Sequence, residues 1–193
     1  DLEEATRVLD ESLAISRRIG RKIGVGRALW ALGNLASYER DWGRTEDYSQ
    51  QAVSELRQID APFDLGWAWF MIAHSRLMMS RAEAAKEPLA HALEIFARVR
   101  DVSALALILT ALAMLQLSIE EEERAAFFWG ASQRLQADTG VSIGDVDVNQ
   151  YPRINEFINN IDAVTQAVSE EGYNASVDEA VEMARVALGE ASV

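Results

Sequence analysis

Apolar residues recur along this chain at the spacing of a helix, and the helices themselves recur. Leu2, Ala5, Leu9, Leu13 and Ile15 to Ile19 fit one helix face. Ala28–Tyr38, Trp67–Met79 and Leu105–Leu117 are apolar nearly all round, the signature of buried helices. They alternate with more polar helices predicted at about 45–58, 81–98 and 121–137. No segment shows the period-two alternation of a half-buried strand. Above this rhythm lies a longer one of forty residues. Ala5, Thr45, Ala85 and Ala125 keep it, as do Ser12, Ala52, Ala92 and Ser132, all small or nearly so. Leu13, Val53 and Leu93 keep it with aliphatic residues, and Ile19, Ile59 and Val99 do the same. Between them fall Leu32-Gly33, Ile72-Ala73 and Leu112-Ala113, each an aliphatic residue followed by a small one.

A fixed period in this range predicts a repeat array in which each unit buries its apolar face against its neighbours. The expected architecture is all-α: a right-handed superhelix of antiparallel helix pairs, closed by a divergent C-terminal helical cap. Residues 1–138 hold one half unit and three helix pairs, 139–150 a linker, and 151–193 the cap, with helices at about 151–171 and 177–188. Breakers at Gly20–Gly26, Asp41–Gly43, Asp60–Pro62 and Asp101 predict the turns, and a forty-residue period predicts long connectors between units. Capping boxes are expected at Ser80–Glu83, Ser118–Glu121 and Ser176–Glu179. Pro88, inside a predicted helix, requires a kink or a later start.

At Trp69, Ile72, Ala73, Ala85, Leu89 and Ala92 the chain resembles the tetratricopeptide repeat. The same frame gives Leu29, Leu32, Gly33, Thr45 and Ala52 before it, and Leu109, Leu112, Ala113, Ala125, Trp129 and Ser132 after it. Forty residues exceeds that family's usual period of about 34, and the proline that usually closes each repeat is missing. Further on, Ala125-Ala126, Gly130-Ala131, Leu135, Gly140, Arg153, Gly172, Ser176 and Glu179-Ala180-Val181 resemble the C-terminal repeat region of large bacterial signalling ATPases and LuxR-type transcriptional regulators. That resemblance implies a fragment of such a regulator, serving as its sensing or partner-binding arm.

It also implies that the first helix of each pair lines a groove. The residues placed there are Arg27, Trp30, Asn34 and Tyr38, then Trp67, Phe70, His74 and Met78, followed by Thr110 and Met114. This mixture suits a protein or peptide partner, neighbouring domains of the parent protein among them, or a small apolar ligand. The competing reading packs the same rings beneath connectors or the C-terminal helices. Asn34 matches one position of the clamp that some repeats use for a terminal carboxylate, but its partner lysines are absent and that subclass is excluded.

Charge and chemistry narrow the picture. The 193 residues carry a net charge of −13, which opposes direct contact with nucleic acid and with anionic membranes. Arg17, Arg18, Arg21, Lys22 and Arg27 form a local basic cluster, read as a helix C-terminus and a solvated loop. No apolar run is long enough to span a bilayer. With no cysteine and no leader pattern, a cytoplasmic setting is expected. His74 and His91 are the only histidines and fall on different helices. No phosphate loop ends Gly20–Gly26. Asp145, Asp147, Asn149 and Glu156 imitate a calcium loop, but Gln150 stands where its glycine belongs. No catalytic residues, cofactor or metal site are expected, and the chain is read as a binding module rather than an enzyme. The alternative is a structural or oligomerisation scaffold, with the apolar flank of residues 1–19 pairing two copies into a homodimer.

Overall fold

The computed structural model describes residues 2–140 and 152–189. Among them are ten helices and no strand: α1 (Leu2–Arg18), α2 (Lys22–Tyr38), α3 (Trp42–Leu56), α4 (Pro62–Met78), α5 (Ala82–Val99), α6 (Val102–Ser118), α7 (Glu122–Thr139), α8 (Pro152–Asn160), α9 (Ala163–Asn174) and α10 (Val177–Leu188). Of the expected linker at 139–150, Thr139 instead ends α7 and Gly140 caps it, while 141–150, with Asp145, Asp147 and Asn149 of the calcium-like spacing, lies outside the described residues. No described helix is long and apolar enough to cross a membrane. The chain divides into two compact units, residues 1–95 and 96–193.

The rhythm of forty is a rhythm of twenty taken twice. Gly20, Arg40, Ser80, Arg100, Glu120 and Gly140 all have left-handed backbone, with φ between 54° and 67°. At the first five, the amide one residue further on donates to a carbonyl five residues back, as in Arg21 N–H to Ser16 O (2.9 Å) and Asp41 N–H to Ala36 O (2.9 Å). These are Schellman ends. The residue that completes each end lies at the start of the next helix, so chain reversal takes two or three residues. The connector at 57–61 is longer, and there Pro62 opens α4 in the first helical turn. The expected long connectors are therefore absent from this region. The residues beyond the usual period lengthen the helices, which run 15 to 18 residues from α1 to α7.

Several local expectations are corrected. Gly24, Gly26 and Gly43 lie inside helices rather than turns. Gly26 is there for space: a Cβ on it would stand 2.5 Å from the Leu56 side chain. Of the three capping boxes only Ser176–Glu179 forms. Ser80 is spent on a left-handed turn, and Ser118 still belongs to α6, donating to Met114 O at 2.8 Å. The helix expected over 151–171 breaks at Ile161–Asp162, where Asp162 caps α9 by accepting from Thr165 N–H at 2.8 Å. Asp41 and Asp101 cap α3 and α6 in the same way.

Pro88 starts no helix; it lies within α5. Having no N–H, it leaves the Ala84 carbonyl without its helical donor. Arg76 Nη1 supplies that hydrogen bond at 2.7 Å. The same guanidinium gives its Nε–H to Glu46 at 2.7 Å, while Arg81 reaches the other oxygen of Glu46 at 2.8 Å. Glu46 is buried, and these two cations neutralise it.

The first unit buries Leu29, Leu32, Ala52, Leu56, Ala68 and Ile72 in a common core. In the second, Ile108, Leu109, Leu112, Phe128 and Leu135 are buried. There α9 lies on α7 at backbone contact distance. A Cβ on Gly130 would meet Ser169 O at 1.9 Å, and one on Gly172 would meet Phe127 O at 2.0 Å. The two glycines on which the resemblance of the tail partly rests thus have a physical reason: no side chain fits between these helices.

Candidate functional site

Helix α4 carries a seam of rings. Phe63, Trp67, Phe70 and His74 follow one another at intervals of four, three and four, which returns each to the same side of the helix. Their contacts are edge-on from Phe63 to Trp67 (6.2 Å between centroids) and from Trp67 to Phe70 (5.8 Å), then stacked from Phe70 to His74 (5.9 Å, planes 7° apart). Trp42, the first residue of α3, sets its ring against His74 at 5.5 Å and 88°. Such offset and edge arrangements match the ring quadrupoles. Exposure is graded along the seam: Phe63 is 52% exposed, whereas Phe70 and His74 are each 9% exposed.

Burial removes the imidazole from water and pushes the His74 pKa down to about 4. The ring is therefore neutral near pH 7 and behaves as an aromatic surface with one N–H donor.

The sequence-predicted groove residues fall in different surroundings. Trp67, Phe70 and His74 are brought together in the seam. Arg27 is in α2 as predicted, but its guanidinium is committed: Nε and Nη2 reach the two carboxylate oxygens of Asp64 at 2.7 and 3.1 Å. This bidentate pair ties α2 to α4, the two first helices of successive units. Thr110 is buried and hydrogen-bonded to Ser132 at 2.7 Å and to Ala106 O at 3.1 Å, so it faces the packing of α6 and α7 rather than a groove. Tyr38, at the end of α2, is 74% exposed, while Asn34, Met78 and Met114 are partly buried. Trp30 is partly buried, and its indole N–H is enclosed without a hydrogen-bond partner.

Trp42, Phe63 and Asp64 belong to this site and were not singled out from sequence. Phe63 was legible, because it continues the spacing of Trp67, Phe70 and His74 by one step. Trp42 and Asp64 carry no local signal; their partners lie 32 and 37 residues away. In the basic cluster, Arg17 and Arg18 are exposed in the last turn of α1, and Lys22 donates to Gln58. Trp69 packs elsewhere, against His91 (4.6 Å) and beneath the Arg57 guanidinium (4.5 Å). Among the described residues no group of three or more His, Asp or Glu side chains could hold a metal ion.

No protein-family model and no curated protein matches the chain. Among solved structures it is similar to the crystal structure of BtubC (BKLC) from P. vanneervenii, with 20% identity and a TM-score of 0.56 over 100% of this chain and 94% of that one. At that identity the likeness is one of fold alone.

Proposed function

We propose that this chain is a non-catalytic binding module, a right-handed superhelix of tetratricopeptide-like helix pairs. Its first-helix aromatics take an apolar peptide segment or a small apolar molecule. It serves a larger bacterial signalling or transcription regulator, in the cytoplasm, as the sensing or partner-binding arm. Support for the repeat class comes from the burial of the small positions: Thr45, Ala85, Ala125, Ala52, Ala92 and Ser132 are all fully buried where helices approach. Support for the regulator comes from the tail, whose Gly130 and Gly172 sit at the point of closest helix approach.

The observation that carries the binding reading is the graded ring seam of α4. Phe63 and Tyr38 are exposed large rings, and behind Phe63 a continuous run of aromatic contacts leads to a buried, uncharged His74. Rigid rings bury much area at low entropy cost. With Arg27 neutralised by Asp64, the strip favours uncharged ligands. Binding there shifts the population of packings between this arm and its neighbouring domains.

Tryptophan fluorescence and thermal melting against a panel of aromatic-bearing peptides and apolar metabolites test this. The expected outcome is a saturable spectral change with a raised melting temperature, weakened roughly tenfold by Tyr38→Ala and by Phe63→Ala. Both side chains are exposed, so their loss leaves folding intact. A folded chain that answers nothing in the panel, or whose two variants answer as strongly as the unsubstituted chain, overturns the assignment.

A further inference from the structure

Helix α8 turns one face toward a cavity in the second unit. Arg153, Glu156, Phe157 and Asn160 follow at intervals of three, one and three, which returns them to one side of the helix. All four line a cavity of ≈ 460 Å³, together with Leu117 near the end of α6, Glu122 in the first turn of α7 and Ile161 just before α9. That volume lies in the range of small-molecule sites. Asp162 and Thr165 also border the cavity but are spent on each other in the cap of α9. The remaining charges are not paired with one another. Among the described residues Arg153, Glu122 and Glu156 have no ion-pair partner. Elsewhere in the chain acid and base three residues apart do close, as in Glu4–Arg7, Glu83–Lys86, Glu121–Arg124 and Glu182–Arg185, each with the acid first. Arg153 and Glu156 stand in the reverse order, the less favourable one on a helix.

We propose that this cavity is a site for a free α-amino acid with an apolar side chain. The ligand's carboxylate takes the Arg153 guanidinium, whose planar fork suits a carboxylate. Its ammonium takes the carboxylates of Glu122 and Glu156. Its side chain lies against Leu117, Phe157 and Ile161, which are partly buried and present apolar surface to the cavity. The mixture of charges selects this class of ligand. A simple amine is repelled by Arg153, and a simple carboxylate by Glu122 and Glu156, whereas a zwitterion satisfies both poles at once. Each of the three charged groups is exposed at the mouth, so a ligand reaches them without opening the core. The site is separate from the ring seam of α4 and does not depend on it.

Isothermal titration calorimetry of the full chain with L-leucine and with L-phenylalanine tests the proposal. Saturable binding of at least one, with a dissociation constant below about 1 mM, is expected. The N-acetylated form of that amino acid lacks the ammonium and its amide lacks the carboxylate. Each binds at least roughly tenfold more weakly. Arg153→Gln, Glu156→Gln and Glu122→Gln each weaken binding of the amino acid with unchanged helical circular dichroism, Arg153→Gln by roughly tenfold or more. Absence of binding by both amino acids overturns the proposal. So do analogues that bind as tightly as the free amino acid, or an Arg153→Gln chain that binds it as tightly as the unsubstituted one.

Discussion

Helices α4 and α6 hold the same place in the forty-residue rhythm and present opposite chemistry. Ile72-Ala73 and Leu112-Ala113 are interchangeable, all fully buried or nearly so. Around them the positions diverge: Phe70 against Thr110, His74 against Met114, Arg76 against Gln116. In the first unit Arg76 finds a buried carboxylate and the carbonyl that Pro88 leaves open. In the second, the Gln116 amide is completely buried and neither its nitrogen nor its oxygen has a partner. The second unit instead gains contact from backbone proximity at Gly130 and Gly172. Small residues at fixed register let helices meet, and the variable positions beside them decide how far a unit relies on ion pairs and rings, as around Arg76 and His74, or on close backbone, as at Gly130 and Gly172.

The largest expected effect falls on the backbone contact. Gly130→Ala places a methyl where Ser169 O already stands, and overpacking against backbone costs about 3 kcal/mol or more. Urea unfolding should show it. Gly43→Ala, which meets only the Asp41 carboxylate at 3.6 Å, serves as the tolerant control.

The His74 seam sharpens the contrast through pH. The folded-state pKa is about 4 against 6.5 for a free imidazole, so between these values the unfolded chain binds the additional proton. His74 thus contributes stability that is complete above about pH 6.5 and is lost as the pH falls toward 4, by roughly 2–4 kcal/mol. His74→Phe keeps the stacking and should flatten this part of the profile in denaturant melts taken across that window. An unchanged profile would remove His74 as the titrating group.

The smallest effects have opposite signs at equivalent positions. Arg76→Met strips a counter-ion from buried Glu46 and reopens the Ala84 carbonyl. The expected loss is about 2 kcal/mol, moderated because Arg81 and Gln50 still bond Glu46. Gln116→Met replaces an unsatisfied amide by an apolar chain of similar length and should stabilise by about 1 kcal/mol. Calorimetric melting of the two variants decides whether register alone, or the partners at each register, sets the outcome.

Much of the scaffold was legible. The placement of α2 to α7 follows from apolar periodicity, and the small residues of the forty-residue frame from Thr45 to Ser132 are buried at helix contacts, whereas Ser12 in α1 is exposed. The turns were harder to read because four of their left-handed residues are Arg40, Ser80, Arg100 and Glu120, where a sequence search looks for glycine. The glycines it does find in Gly24, Gly26 and Gly43 lie inside helices. Ser80 and Ser118 carry a capping pattern, yet each is engaged by the end of the preceding helix, and a local motif does not reveal which of two helices claims a residue. Trp67, Phe70 and His74 were read from their spacing along α4, and Phe63 continues that spacing. Trp42 against His74, Asp64 against Arg27 and Glu46 between two arginines were not.

By itself, then, the sequence determined the helices, their alternation and the positions that had to be small, because periodicity and side-chain size act along a few turns of one helix. Tertiary structure decided which charges are neutralised, which imidazole stays neutral, why Pro88 is tolerated in α5 and why Gly130 and Gly172 admit no side chain. Those properties belong to pairs of atoms brought within a few ångströms from distant parts of the chain, and desolvation and Coulomb energy depend on that approach rather than on order in the chain.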